Sequence, residues 1–243
     1  MPELLGENSA VSNLNPERSH FDRRIRRLER DILRMGALVE HSFRLSHQAL
    51  FARNLAASEE IPLLEKKIDQ FYRQIESECA ALMTLQAPVA QRSAGGSSLA
   101  SLSQAQDSRL LSAFMQLVRD LERIGDYAED LAEIAIKLFP YPSQGCLPQI
   151  EVMSHHAQAM LAASLVAVAD LDAEAGQAVK RLDDAVNTSY KTVYGILATQ
   201  RDVKGVVEPI LLLALVIRHL ERMADHATNI GQRVAYIVTG QRS

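Results

Sequence analysis

Acidic and amide side chains recur four residues apart along four stretches of this chain. Glu122, Asp126 and Asp130 form one set, and Glu221, Asp225 and Asn229 form a second. Shorter sets, Glu65/Asp69 and Asp183/Asn187, precede them. On an α-helix a step of four drifts by only about 40°, so each set lines one face at intervals of ~6 Å. Clustered hard oxygen donors of this kind suit a divalent or trivalent cation: iron, manganese, magnesium, calcium or zinc. The bland reading is a solvated helix face, with Arg119 and Arg123 neutralising Glu122 and Asp126 as surface ion pairs. Like charges at this spacing cost ~0.2–0.5 kcal/mol each, however, and the pattern stands at one helical offset on four segments.

The offset comes from the apolar stripes. Counted from Leu121, Glu122, Asp126 and Asp130 stand about 100°, 140° and 180° round the helix. Leu220, Leu64 and Leu182 put the other sets at matching angles. The carboxylates therefore lie outside the bundle interior. That argues against a ferritin-like di-iron centre, whose ligands project inward and include Glu-x-x-His; the one such spacing, Glu17 to His20, lies near the N-terminus, apart from these sets. If the stretches bearing Glu65/Asp69 and Glu122/Asp126/Asp130 are neighbours, five acids share an outer groove, and the second half repeats it with Asp183, Asn187, Glu221, Asp225 and Asn229. His226 falls further round, near 240°, where Tyr127 matches it, and is expected at a helix–helix contact. His155 and His156 are adjacent, so only one can face a given site, and no role is assigned to them. Seven arginines (Arg18, Arg23, Arg24, Arg26, Arg27, Arg30 and Arg34) crowd one segment. They read as a solvated face offset by Asp22, Glu29 and Asp31, with a docking patch for an acidic partner or anionic membrane as the alternative. With Phe21 the one aromatic among them, they give little support for single-strand nucleic-acid binding.

The elements that must position these residues are helical. In 243 residues there are 11 Gly, 8 Pro, no Trp and 5% aromatics, too little turn and β-branched chemistry for a sandwich or parallel sheet. Six tracts follow, roughly 16–58, 62–85, 104–139, 149–171, 176–199 and 205–238. In the third, Leu110, Phe114, Leu117, Leu121, Ile124, Ala128, Leu131, Ala135 and Leu138 keep a 4-3 spacing throughout. Residues 1–15 are expected to be a disordered tail, and 91–106 a mobile Ser-rich insertion. The halves repeat: Arg119-Asp-Leu-Glu-Arg-Ile-Gly-Asp126 matches Arg218-His-Leu-Glu-Arg-Met-Ala-Asp225 at five of eight positions. The fold class is all-α, a duplicated three-helix unit over 16–139 and 145–240. Two cysteines, Cys79 and Cys146, form no disulfide framework. No apolar signal segment is visible, and the run Ile210–Ile217 is too short to span a bilayer, so a cytoplasmic location is expected.

The stretches Asp120-Leu-Glu-Arg-Ile-Gly-Asp-Tyr-Ala128 and Leu220-Glu-Arg-Met-Ala-Asp-His-Ala-Thr-Asn-Ile230 resemble the paired signatures of the PhoU family, regulators of phosphate transport and phosphate-starvation signalling. The resemblance runs from Phe21 to Gly240. It implies two pseudo-symmetric three-helix bundles with metal clusters on their surfaces, iron or zinc foremost. Glu122, Asp126, Glu221 and Asp225 match the family's motif; Asp130, Asn229, Glu65, Asp69, Asp183 and Asn187 extend it. It further implies a non-catalytic protein whose partners are a phosphate-sensing histidine kinase and the ATPase subunit of a phosphate ABC transporter, with homodimer formation and only peripheral membrane association. Asn187 and Asn229 stand where acids are usual, making the second site the more neutral one. A metal-dependent enzyme using the groove, and a metal-free helical scaffold, stay open as alternatives.

Overall fold

The computed structural model describes residues 16–92, 98–200 and 205–241. The helices are α1 (Pro16–Phe51), α2 (Ile61–Arg92), α3 (Ser98–Leu138), α4 (Leu147–Asp170), α5 (Ala173–Ala198) and α6 (Glu208–Thr239), with a 3-10 helix at Leu55–Glu60. Among the described residues there is no strand. Each half is an up-down-up bundle. Its helices start and stop on local signals. Asp172 caps α5 by accepting hydrogen bonds from the amides of Glu174 and Ala175 at 2.8 and 3.1 Å, and prolines occupy the first turns of α4 and α6. Gly240, at φ 73°, ends α6 in the left-handed conformation.

Two boundaries differ from the sequence reading. The first tract, expected to run unbroken to Ser58, ends at Phe51, where Arg53 takes φ 53°. Its guanidinium donates to the carbonyls of Phe139 and Tyr141 and lies 4.8 Å from the Phe139 ring, tying this turn to the linker between halves. The stretch between the second and third expected tracts, 86–103, is largely helix among the described residues: α2 runs on to Arg92 and α3 begins at Ser98. These flanks are rich in Ala, Gln and Leu, all good helix formers. The remainder of the expected insertion, 93–97, and the expected tail, 1–15, lie outside the described residues.

The apolar stripes bury as the 4-3 spacing requires. Leu117, Leu121, Ile124, Ala128 and Leu131 of α3 meet Ile25, Leu28, Ile32, Met35 and Val39 of α1 in a cluster that continues through Ile150, Met153, Val186, Val216, Leu220 and Ile230. The core is thus continuous across both halves, with α3 against α6 and α1 against α4 along the seam. α4 has the length and apolar composition to cross a membrane, but it packs inside this core against α5, α6 and α1. The duplication extends to fine detail. Ile32, Met35, Phe43 and Ser46 of α1 correspond to Ile150, Met153, Leu161 and Ser164 of α4, all buried. Ser46 and Ser164 even make the same bond, each hydroxyl donating to the carbonyl three residues back at 2.8 and 2.7 Å.

Candidate metal centre

α2 and α3 approach closely because Gly125 has no side chain. A Cβ there would stand 3.2 Å from Cδ1 of Ile68 and 3.4 Å from its Cγ2. In the second half Ala224 and Val186 take the same places, one methyl moved from one helix to the other. This contact brings the acids of α2 and α3 together. Burial raises the Glu122 carboxyl above its ordinary range, and repulsion from Asp69 and Glu65 adds to it, against the pull of Arg123 and Arg119. Asp126 is pushed up to about 6, first by burial, then by Glu122 and Glu65. Glu129 rises for the same reasons, burial before Glu65. Arg123 answers part of this charge, lying 3.5 Å from Glu122 and 3.1 Å from Asp126. Arg73 pairs with Asp69.

The second groove is the symmetric copy. Burial and then Asp225 raise both Asp183 and Glu221. Asn187 donates to Asp183 Oδ2 at 2.7 Å, Arg218 pairs with Glu221, and Arg222 lies 3.4 Å from Asp225. Each groove therefore gathers two donors from each of two helices, with fewer cations than anions. Half-buried carboxylates that repel one another suit a multivalent cation, which would relieve the repulsion.

The third member of each set also reaches toward the other half. Asp130 still adds to the repulsion on Asp126, but its Oδ2 lies 3.8 Å from Nδ1 of His219 on α6. Asn229 is out of its groove: it donates to Asp120 Oδ1 at 3.4 Å. The side of the helix opposite the core stripe is shared between solvent, which reaches the 51% exposed Asp130 side chain, and the other half of the molecule. Here the duplication is visible side chain by side chain. His226 Nδ1 sits 2.8 Å from the buried Asp120, while His219 packs on the Tyr127 ring at 5.3 Å. Under the repeat Asp120 corresponds to His219 and Tyr127 to His226, so these are one contact seen from its two ends. His226 is thus at a helix–helix contact, as its angle predicts. The arginines of α1 are partly committed as well: Arg18 joins Asp107 of α3 and Arg24 joins Glu78 of α2 at 2.6 Å.

One constellation escaped sequence reasoning. His47 of α1 meets Glu151 and His155 of α4. Glu151 and His155 are four apart on one helix, a spacing that signals a shared face, but His47 is remote in sequence and only the crossing of α1 over α4 joins them.

Comparison with known proteins follows the same division. The family description "PhoU domain" matches residues 32–135 and 150–234, once in each half. The chain is 60% identical over 228 residues to the phosphate-specific transport system accessory protein PhoU homolog of Synechocystis sp., covering 94% of this chain and 95% of that one. It is 29% identical over 242 residues to the homolog of Pseudomonas aeruginosa, covering 98% and 91%. Among solved structures, the crystal structure of PhoU from Pseudomonas aeruginosa superposes with a TM-score of 0.78 at 28% identity, over 91% of this chain and all of that one.

Proposed function

The chain belongs to the PhoU family, and from that premise we propose that it regulates phosphate uptake and phosphate-starvation signalling through protein contacts, with metal bound in its two carboxylate grooves. The relatives' names supply the phosphate-transport context. The observation that carries the metal reading is the repetition of a half-buried, mutually repelling set of oxygen donors at one place in both halves. Glu65, Asp69, Glu122 and Asp126 would hold ions in the first groove, and Asp183, Asn187, Glu221 and Asp225 in the second. The family resemblance favours iron or zinc, and an all-oxygen donor set also suits manganese, magnesium and calcium. Bound metal would offset the negative charge of each groove and so change the surface it offers to partners.

The proposed partners are a phosphate-sensing histidine kinase and the ATPase subunit of a phosphate ABC transporter. The protein would act as a cytoplasmic homodimer that reaches the membrane only through them. Deletion in the native host should switch on phosphate-starvation genes at high phosphate, and a pulldown should recover the kinase and the ATPase. Normal repression in the deletion strain would refute the regulatory reading. Metal analysis after gentle purification addresses the grooves separately: absence of stoichiometric metal, with no loss of stability on Glu122→Ala plus Asp126→Ala, would leave a metal-free scaffold.

A further inference from the structure

The crossing of α1 over α4 is built twice, once apolar and once ionisable. In one copy Gly36 of α1 receives the side chain of Leu165 of α4. The repeat that pairs Ile32 with Ile150 and Met35 with Met153 also pairs Gly36 with Ser154 and Leu165 with His47. It pairs Leu33 with Glu151 and Ala37 with His155 as well. The second copy therefore carries His47, Glu151, Ser154 and His155 where the first carries Leu165, Leu33, Gly36 and Ala37. Packing needs none of these polar groups, since the apolar copy closes the same crossing. Burying Ser154 and most of His47 costs free energy unless they are satisfied, while Glu151 and His155 reach solvent at the edge of the crossing.

Their geometry supplies the satisfaction. One donor atom from each of His47, Glu151 and His155 lies within 4.8 Å of the other two. His47 Nε2 is 3.9 Å from Glu151 Oε1, and its Nδ1 is 3.0 Å from the hydroxyl of the fully buried Ser154. The imidazole is held further by ring contacts at 4.7 Å with both Phe51 and His155. When Nδ1–H donates to Ser154, the Nε2 lone pair is left facing Glu151. A ligating histidine fixed through its other nitrogen has this form. Two imidazoles and one carboxylate select a borderline transition ion over magnesium or calcium. In a tetrahedral zinc site donors stand roughly 3.4 Å apart, so side-chain rotations of about 1 Å complete it.

We propose that the α1–α4 crossing is a second kind of metal site in this molecule, with His47, Glu151 and His155 as three ligands to a divalent transition ion such as zinc and a solvent-facing position left open. It is chemically and spatially separate from the carboxylate grooves.

The test removes the grooves first. In the full chain carrying Glu122→Ala, Asp126→Ala, Glu221→Ala and Asp225→Ala, zinc is titrated by calorimetry, and cobalt(II) by its visible absorption. One zinc per chain is expected, with a zinc-dependent rise in thermal midpoint. His47→Leu with His155→Ala installs the residues of the apolar copy, so the fold should hold, with a metal-free midpoint equal to or above the parent's. Zinc affinity should fall by at least about 100-fold, and by roughly 10-fold in Ser154→Ala, which loses only the orienting hydroxyl. Glu151→Gln provides a second ligand variant with minimal change of shape. Absence of stoichiometric zinc binding in the groove-free chain would overturn the proposal. So would binding undiminished by His47→Leu with His155→Ala or by Glu151→Gln. Because the grooves are already gone, either failure leaves the proposed function untouched.

Discussion

Replacing Asp126 with Asn should stabilise the metal-free protein at neutral pH and leave it unchanged in acid. The carboxyl is pushed from its ordinary 3.8 up to about 6, chiefly by burial and by Glu122. Between these two values the folded state holds a proton that the unfolded chain has released. Folding stability therefore falls as pH rises through that window and stays lowered above it. A shift of roughly two units corresponds to about 3 kcal/mol for a fully enclosed group. The side chain is 35% exposed and shares Arg123, so solvent screening reduces the expected effect to about 1 kcal/mol. Urea unfolding of chelator-treated protein at steps from pH 4 to pH 8 measures it. The difference between Asp126→Asn and parent should be near zero at pH 4 and reach about 1 kcal/mol in the variant's favour above pH 6. With metal at 100 times its dissociation constant the order reverses, because the parent gains about 2.7 kcal/mol that the variant lacks in large part. A variant no more stable than the parent at pH 7, or a difference that ignores pH, would refute the account of the groove as a reservoir of carboxylate repulsion.

Other consequences follow from packing. Gly125→Ala alone crowds Ile68, while Gly125→Ala with Ile68→Val copies the second half; a double-mutant cycle should show favourable coupling of about 1 kcal/mol, and strict additivity would contradict the compensation. Gly176 and Gly231 hold α5 and α6 backbone to backbone, so a Cβ on Gly231 meets the Gly176 carbonyl oxygen. Gly231→Ala should cost about 1–3 kcal/mol by thermal unfolding, where an ordinary helical glycine gains from the same change. Asp120→Ala strips the acceptor from His226 and Asn229 and should cost about 2 kcal/mol in denaturant, whereas a loss under 0.5 kcal/mol would mark that contact as incidental.

Much of this architecture is legible in the chain. The 4-3 stripe of α3 and the repeated Leu-Glu-Arg motif suffice for six helices and an internal duplication, since both are local properties of single helices. The pairing of Glu65 and Asp69 with Glu122 and Asp126 also follows, because α2 and α3 are neighbours in sequence. Asp130 and Asn229 also meet partners across the α3–α6 seam that a helical wheel leaves unseen, because it registers only the stripe a helix buries in its own bundle: the half-exposed Asp130 lies by His219, and Asn229 donates to Asp120. His47, Glu151 and His155 were missed because nothing in either helix alone announces the crossing. The flanks of the Ser-rich stretch read as loop because small residues suggested flexibility, yet Ala and Gln favour helix strongly enough to extend both α2 and α3.

The seam where Asp120 meets His226 and His219 meets Tyr127 shows what tandem fusion makes available. Two identical half-chains joined by a twofold axis receive every mutation twice, so an acid introduced on one side of the axis also appears on the other. A fused chain escapes that rule: the two ends of one symmetric contact can diverge independently, an acid–imidazole pair at one and a tilted tyrosine–imidazole contact at the other. The same freedom lets one α1–α4 crossing be apolar and its twin polar. Duplication here is less a repetition than a licence for the copies to specialise without losing the frame they share.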